Sequence, residues 1–169
     1  MERPILTERL RLRPFETGDA QALFALFRRP EVGRYTGGAH ASVADSRRLI
    51  ETHHRHQAAH GFALWAIEER DGGRLVGEAG LQLLEQRGPE VEIGWVLDPD
   101  VWGRGYATEA ARRWLEVGFA DLALDRVIAT ILPANAASQA VASRLGMALD
   151  GRRHVHDAEH LIYVASAPS

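Results

Sequence analysis

The chain has no cysteine and no lysine; all 20 of its basic residues are arginine. Without thiols there is no disulfide, no zinc-thiolate centre, no cysteine nucleophile and no acyl-cysteine relay. Without lysine there is no Schiff base and no phosphate-gripping lysine of the P-loop kind. Acyl or phosphoryl transfer by such a chain has to rest on binding and on acid/base help. Long apolar runs are missing as well. No stretch approaches 18 consecutive apolar residues, and the start, MERPILTERL, has no apolar core, so neither a membrane span nor a signal peptide is expected and the cytoplasm is the default location. Positive charge is not in excess either. A formal net charge of −3 gives no general attraction to nucleic acid or to an anionic membrane, and neither is expected as a partner.

What is present fits one domain over residues 1–169. A domain of that length buries about 70% of its unfolded surface without staples. The 46% hydrophobic and 25% charged residues lie in the ordinary globular range, which excludes a disordered or fibrous chain.

Periodicity sets out the elements. ILTERLRLRPF reads as one strand, with Leu10 and Leu12 on one face and Arg9, Arg11 and Arg13 on the other. TGDAQALFALFRRP has helical spacing and a stop at Pro30, residues 31–41 read as loop, and Ser42 to His60 reads as a histidine-rich surface helix ended by Gly61. Three strand-like runs follow, FALWAIEE, RLVGEAGLQLLE and EVEIGWVL, joined by the turn signals Asp71-Gly72-Gly73 and Gly88-Pro89. After them come a helix (ATEAARRWLEVGFADLAL), a strand (DRVIATIL), a helix (NAASQAVASRLG) and two closing strands around HVHDAEHL. The order βααβββαβαββ predicts an α+β fold: a mixed, mostly antiparallel sheet of about seven strands flanked by about four helices.

Between the fourth strand and its helix lies WGRGYATEA, with the helix predicted to begin near Arg104. A helix start has unpaired backbone N–H groups and roughly half a positive charge, so a strand-to-helix turn opened by small residues can receive a phosphate. Gly103 and Gly105 let a ligand reach the backbone. One strand later, Asn135 precedes a helix and Ser138 follows three positions on, a spacing that serves helix capping in any protein.

In this element order, ERLRLRPF, VGEAGL, VEIGWVLDPDVWGRGYATEA, LPANAASQAVASRLGM and a tyrosine in the last strand resemble the GCN5-related N-acetyltransferase (GNAT) superfamily. They are more narrowly similar to the branch acting on ribosomal-protein N-termini. The resemblance implies a sheet splayed between the fourth and fifth strands and acetyl-coenzyme A (acetyl-CoA) as cosubstrate, with no metal. The superfamily's Gln/Arg-x-x-Gly-x-Gly/Ala signature falls on Trp102, Gly103, Arg104, Gly105, Tyr106 and Ala107, departing at Trp102. With Thr108 these residues would hold the pyrophosphate, Arg104 adding a charge-assisted contact. Val96 and Leu97 would offer backbone to the pantetheine arm, and Asn135 and Ser138 would also touch the cofactor. The acceptor implied is an amine, on a protein N-terminus or a small molecule, and the protein a monomer or homodimer.

Attack on a thioester needs a neutral amine. An α-amine with a pKa near 8 costs about 1.4 kcal/mol to deprotonate at pH 7, and a lysine amine near 10.4 costs about 4.6. Glu92, in an otherwise apolar strand, is either a general base or one half of a structural ion pair with an arginine. The tyrosine that protonates the thiolate in many superfamily members is replaced by Ala142, leaving water or the Ser138 hydroxyl to do so. Tyr163 reads as a packing residue. His154, His156 and His160 flank the final hairpin, where relatives shape the acceptor pocket, and are second-choice bases. Tyr35 and Trp65 either line that pocket or belong to the core. His53, His56 and His60 have helical spacing, and a solvated face is expected there in preference to a metal site.

Two other readings compete. G-x-G-x-x-T with Asp125 about 20 residues on resembles a dinucleotide-binding oxidoreductase, but hairpins precede it where parallel crossovers are required. A non-catalytic module that binds coenzyme A fits the missing tyrosine.

Overall fold

The computed structural model describes residues 3–169 and runs β1 (Ile5–Leu6), β2 (Leu10–Arg13), α1 (Ala20–Phe27), α2 (Pro30–Gly33), α3 (Val43–His60), β3 (Leu64–Glu69), β4 (Leu75–Leu83), β5 (Val91–Leu97), α4 (Tyr106–Ala120), β6 (Arg126–Ile131), α5 (Ala136–Arg144), β7 (Ala148–Val155) and β8 (Ala158–Ser166). The strands form one open sheet in the order β1-β2-β3-β4-β5-β6-β8-β7. Every neighbouring pair is antiparallel except β5 and β6. One parallel pair in eight strands is incompatible with a doubly wound dinucleotide fold, which is built from parallel crossovers.

Two elements differ from expectation. The first predicted strand is a hairpin, because Thr7 closes a turn: its backbone N–H donates to Leu10 O at 2.9 Å, and its hydroxyl oxygen accepts from Leu10 N at 3.0 Å. Pro30, expected as a stop, opens the short helix α2 at its first position, where the missing N–H costs nothing. Other signals act as read. A capping box of Ser42 and Asp45 starts α3, and Gly61 ends it in the left-handed region (φ 82°).

Helices cover both faces of the sheet. On one, Leu23, Leu26 and Phe27 of α1 and Ile50 of α3 pack with Ala66 and Val96. On the other, α4 lays Ala110, Ala111 and Trp114 on β3 to β5. Trp114 meets Trp65 edge to face at 5.0 Å, a geometry worth about 0.5–1.5 kcal/mol beyond the area it buries. Among the described residues, no helix is long and apolar enough to cross a membrane.

Candidate active site

The parallel pair β5–β6 touches at one register position, Glu92 opposite Ile128. Beyond it the strands part, and a cleft opens between them with the start of α4 at one end. Gly105 is the N-cap of α4 at φ 81° and Gly103 lies at φ 79°, both in the left-handed region that glycine occupies without strain. The helix therefore begins at Tyr106, two residues after the predicted start. Thr108, in the first turn, has a buried hydroxyl oxygen with no hydrogen-bond partner among the described residues. A phosphate oxygen at this helix start would accept from it, so the residues present fit a diphosphate.

Arg9 braces the turn from β1–β2. Its Nη1 donates to Arg104 O at 2.7 Å, its Nε to Glu109 at 2.7 Å, and its guanidinium lies over the Tyr106 ring at 4.9 Å. Burial alone would raise the Glu109 carboxyl, but hydrogen bonds from Thr7 and Arg9 hold it below the usual carboxylate range. Arg104 and Tyr106 both turn to Glu69, at 3.3 and 2.9 Å, so a phosphate contact by Arg104 competes with that pair. Arg9 has no local motif to announce it; its partners lie about 100 residues away.

The strand phase alters the expectation for Val96. Asp98 N donates to Val76 O at 2.8 Å, so alternate residues of β5, Val96 included, direct their backbone groups to β4. A Cβ on Gly77 of β4 would come 2.2 Å from Val96 O. Val96 therefore has no free backbone for an arm in the cleft. Leu97 and Trp95 face the splay, where Leu97 O already accepts from the Trp102 indole at 2.9 Å.

Across the splay, Asn135 caps α5 by accepting from Ser138 N at 3.1 Å, and the Ser138 hydroxyl accepts from Trp95 Nε1 at 3.2 Å. Ala142 is fully buried, packed in the core, and Tyr163 packs against the same core.

Glu92 is 5% exposed and holds no arginine. Its partners are His156 Nε2 at 3.1 Å, the Thr130 hydroxyl, and Gln82 at 3.4 Å. His156 reaches it because His156 and Asp157 form the tight β7–β8 turn, at φ 50° and 60°. Its backbone N–H donates to Glu85 at 2.8 Å. The hydrogen bond to Glu92 raises the His156 pKa against the opposing effect of burial.

Three expectations are corrected. Trp65 is 1% exposed in the core, its N–H on Gln57 at 3.0 Å, and does not line the cleft; Tyr35 does. His154 sits on the exposed face of β7 opposite Glu159, away from the cleft that His156 and His160 line. The α3 histidines do not form a solvated face: His53 and His56 are buried. His56 spends both ring nitrogens, Nδ1 donating to Phe62 O at 2.7 Å and Nε2 accepting from Leu83 N at 3.0 Å, so neither is left for a metal.

An α+β sheet split beside a glycine-opened helix start is the architecture of an acyl-CoA-dependent transferase. Residues 9–148 match the acetyltransferase (GNAT) domain, and the chain belongs to that family. The N-acetyltransferase YoaA of Bacillus subtilis strain 168, itself uncharacterized, is 35% identical over 151 residues, spanning 88% of this chain and 85% of that protein. The crystal structure of an acetyltransferase from Agrobacterium tumefaciens strain C58 matches 98% of this chain and 95% of its own with a TM-score of 0.85 at 29% identity. RimL, a ribosomal L7/L12 alpha-N-protein acetyltransferase in complex with coenzyme A, shares the fold over 98% of each chain, with a TM-score of 0.82 at 17% identity. The protein is an N-acetyltransferase with acetyl-CoA as cosubstrate.

Proposed function

We propose that the cleft binds acetyl-CoA with its diphosphate on the backbone of residues 102–108 and its arm along the open edge of β5. The acetyl group is then passed directly to a primary amine bound on the α1/α3 face of the sheet, without an acyl-enzyme. The observation that carries this reading is that β5 and β6 pair at one register position, Glu92 opposite Ile128, which leaves an open strand edge leading away from the α4 start. The absence of cysteine agrees with direct transfer. The acceptor is a protein N-terminus or a small amine.

Acetyl-CoA supplies the thioester: a C–N bond forms, the C–S bond breaks, and a thiolate leaves. This chain's residues handle two protons. The amine must lose one, and the Glu92–His156 pair is the acceptor. Neutral His156 takes a proton most readily when its imidazolium is stabilised by a buried carboxylate, the source of its raised pKa. The second goes to the thiolate. Ser138 accepts from Trp95 through its oxygen, which leaves its own hydrogen to donate. The Asn135 cap fixes the helix turn that presents Ser138.

Calorimetry with acetyl-CoA and with NAD, followed by thiol release against a panel of amines and peptides, tests the reading. Micromolar acetyl-CoA binding with thiol release is the expected result. Binding without release from any amine would leave a coenzyme A sensor instead of an enzyme.

A further inference from the structure

Among the described residues two carboxylates are buried, Glu78 at 4% exposure and Glu92 at 5%. Both line the cleft. Among the described acids that are not exposed, they are also the two that pair with no arginine. Asp19, Glu68, Glu69, Asp98 and Glu109, all less buried, each hold an arginine. In a chain with 20 arginines, the ion-pair partners of Glu78 and Glu92 are histidines. Burying a carboxylate without a permanent cation is costly, and in a cleft wall the missing cation can arrive with the substrate.

Glu78 is held firmly and left half satisfied. Its Oε2 lies 3.1 Å from His53 Nε2, and the His53 ring is fixed by stacking on Phe15 at 5.6 Å. Oε1 has no hydrogen-bond partner among the described residues. The register spaces the two acids along the sheet: Glu78 lies opposite Val96, Glu92 opposite Gln82, and Gly80 opposite Gly94 between them. At about 3.4 Å per residue and about 4.8 Å between strands, the two glutamate Cα atoms are about 14 Å apart. Between them Gly94 and Leu64 line the cleft, while Gly80 is buried against the backbone of Ala63. A Cβ on Gly80 would come 2.2 Å from Ala63 O, and one on Gly94 would come 3.3 Å from Leu64 Cδ2. The cleft wall is therefore apolar at Gly94 and Leu64 and carries a carboxylate on either side of them.

We propose that this part of the cleft selects an aliphatic diamine or polyamine as the acceptor. One ammonium pairs with Glu78 Oε1, the methylene chain passes Gly94 against Leu64, and the second nitrogen sits beside Glu92 and His156. The proposal rests on the acetyl-transfer reading above and narrows its acceptor. The reacting nitrogen gives one proton to the Glu92–His156 pair and forms the amide bond. The distal ammonium is unchanged and stays on Glu78. A monoamine leaves Glu78 Oε1 unpaired, and a peptide with an uncharged second residue does the same.

The test compares kcat/KM for a homologous series of α,ω-diamines, spermidine, n-alkylamines of matching length and an alanine-initiated peptide, with acetyl-CoA affinity measured alongside. Diamines are expected to exceed matched monoamines by about tenfold or more. Glu78→Gln should bring that ratio toward one. Glu78→Asp, which keeps the charge and withdraws it by one methylene, should move the optimum to the next longer diamine, and it carries the test should the glutamine variant not fold. Monoamines or peptides used as well as diamines, or a glutamine variant that keeps the preference, would overturn the inference and leave acetyl transfer intact. No thiol release from any amine by protein that binds acetyl-CoA would overturn both.

Discussion

The indole N–H of Trp95 on β5 donates to the Ser138 hydroxyl at the start of α5, 3.2 Å across the splay. The contact ties together the two elements that the split sheet separates, and it sets the direction of the serine proton. Ser138→Ala should lower kcat by about tenfold to a hundredfold and leave acetyl-CoA affinity nearly unchanged, because water is a poorer placed donor. Steady-state thiol release and calorimetry measure the two. Wild-type turnover in the alanine variant would remove Ser138 from proton delivery.

The Glu92–His156 pair predicts a pH profile. With His156 raised above its ordinary value of about 6.5 by Glu92, kcat/KM should rise with pH through a midpoint above that value. Glu92→Gln removes the cause of the shift, so the midpoint should move to lower pH and kcat should fall. Folding stability depends on the same pair. A raised histidine stabilises the fold fully below its unfolded pKa and loses that contribution as pH rises through the folded value, so Glu92→Gln should cost most in mild acid. Profiles taken with one acceptor throughout keep its own titration constant; an unmoved midpoint would separate His156 from catalysis.

Much of this architecture is legible locally. The Ser42–Asp45 cap, Gly61, the Asp71-Gly72-Gly73 turn and the two glycines before α4 act within a few residues of themselves, so their effect is written where they stand. The site is less legible because its decisive partners are distant. His156 and Glu92 are 64 residues apart, and nothing near Glu92 distinguishes a histidine partner from the arginine expected for it. The direction of the Val96 backbone is hidden for a related reason: which residues of a strand face which neighbour depends on the register with β4, and a one-residue change reverses every assignment. The polar face of α3 is buried because His53 and His56 find partners on β4 and on the segment that follows α3, a compensation invisible in helical spacing.

Arg9 is expected to act on cofactor affinity through the glycine turn. Its 2.7 Å bond to Arg104 O holds that carbonyl away from the N–H groups of the turn, and Glu109 holds Arg9 in place. Arg9→Met keeps the aliphatic stem over Tyr106 and removes the donors. Acetyl-CoA should bind about tenfold more weakly, a loss in the range of a hydrogen bond to a charged donor, with kcat at saturation little altered. Equal affinity of the variant and the parent by calorimetry would reduce Arg9 to a surface ion pair.

His56 should make the fold acid-sensitive. Burial lowers its pKa, and the hydrogen bond from Leu83 N to Nε2 requires that nitrogen to stay unprotonated. The unfolded chain binds a proton near pH 6.5 that the folded chain resists, so this contribution is complete above about 6.5 and is lost as pH falls from there toward the lowered folded value. His40, lowered by burial in the same way, adds in the same direction. Thermal melts between neutral pH and mild acid should show Tm falling over a range where most carboxylates are still ionised. His56→Gln cannot reproduce both bonds and should cost about 1–3 kcal/mol at neutral pH. It should also flatten the acid slope, since the group that titrates is gone; a variant with the parental slope would transfer the acid sensitivity to His40.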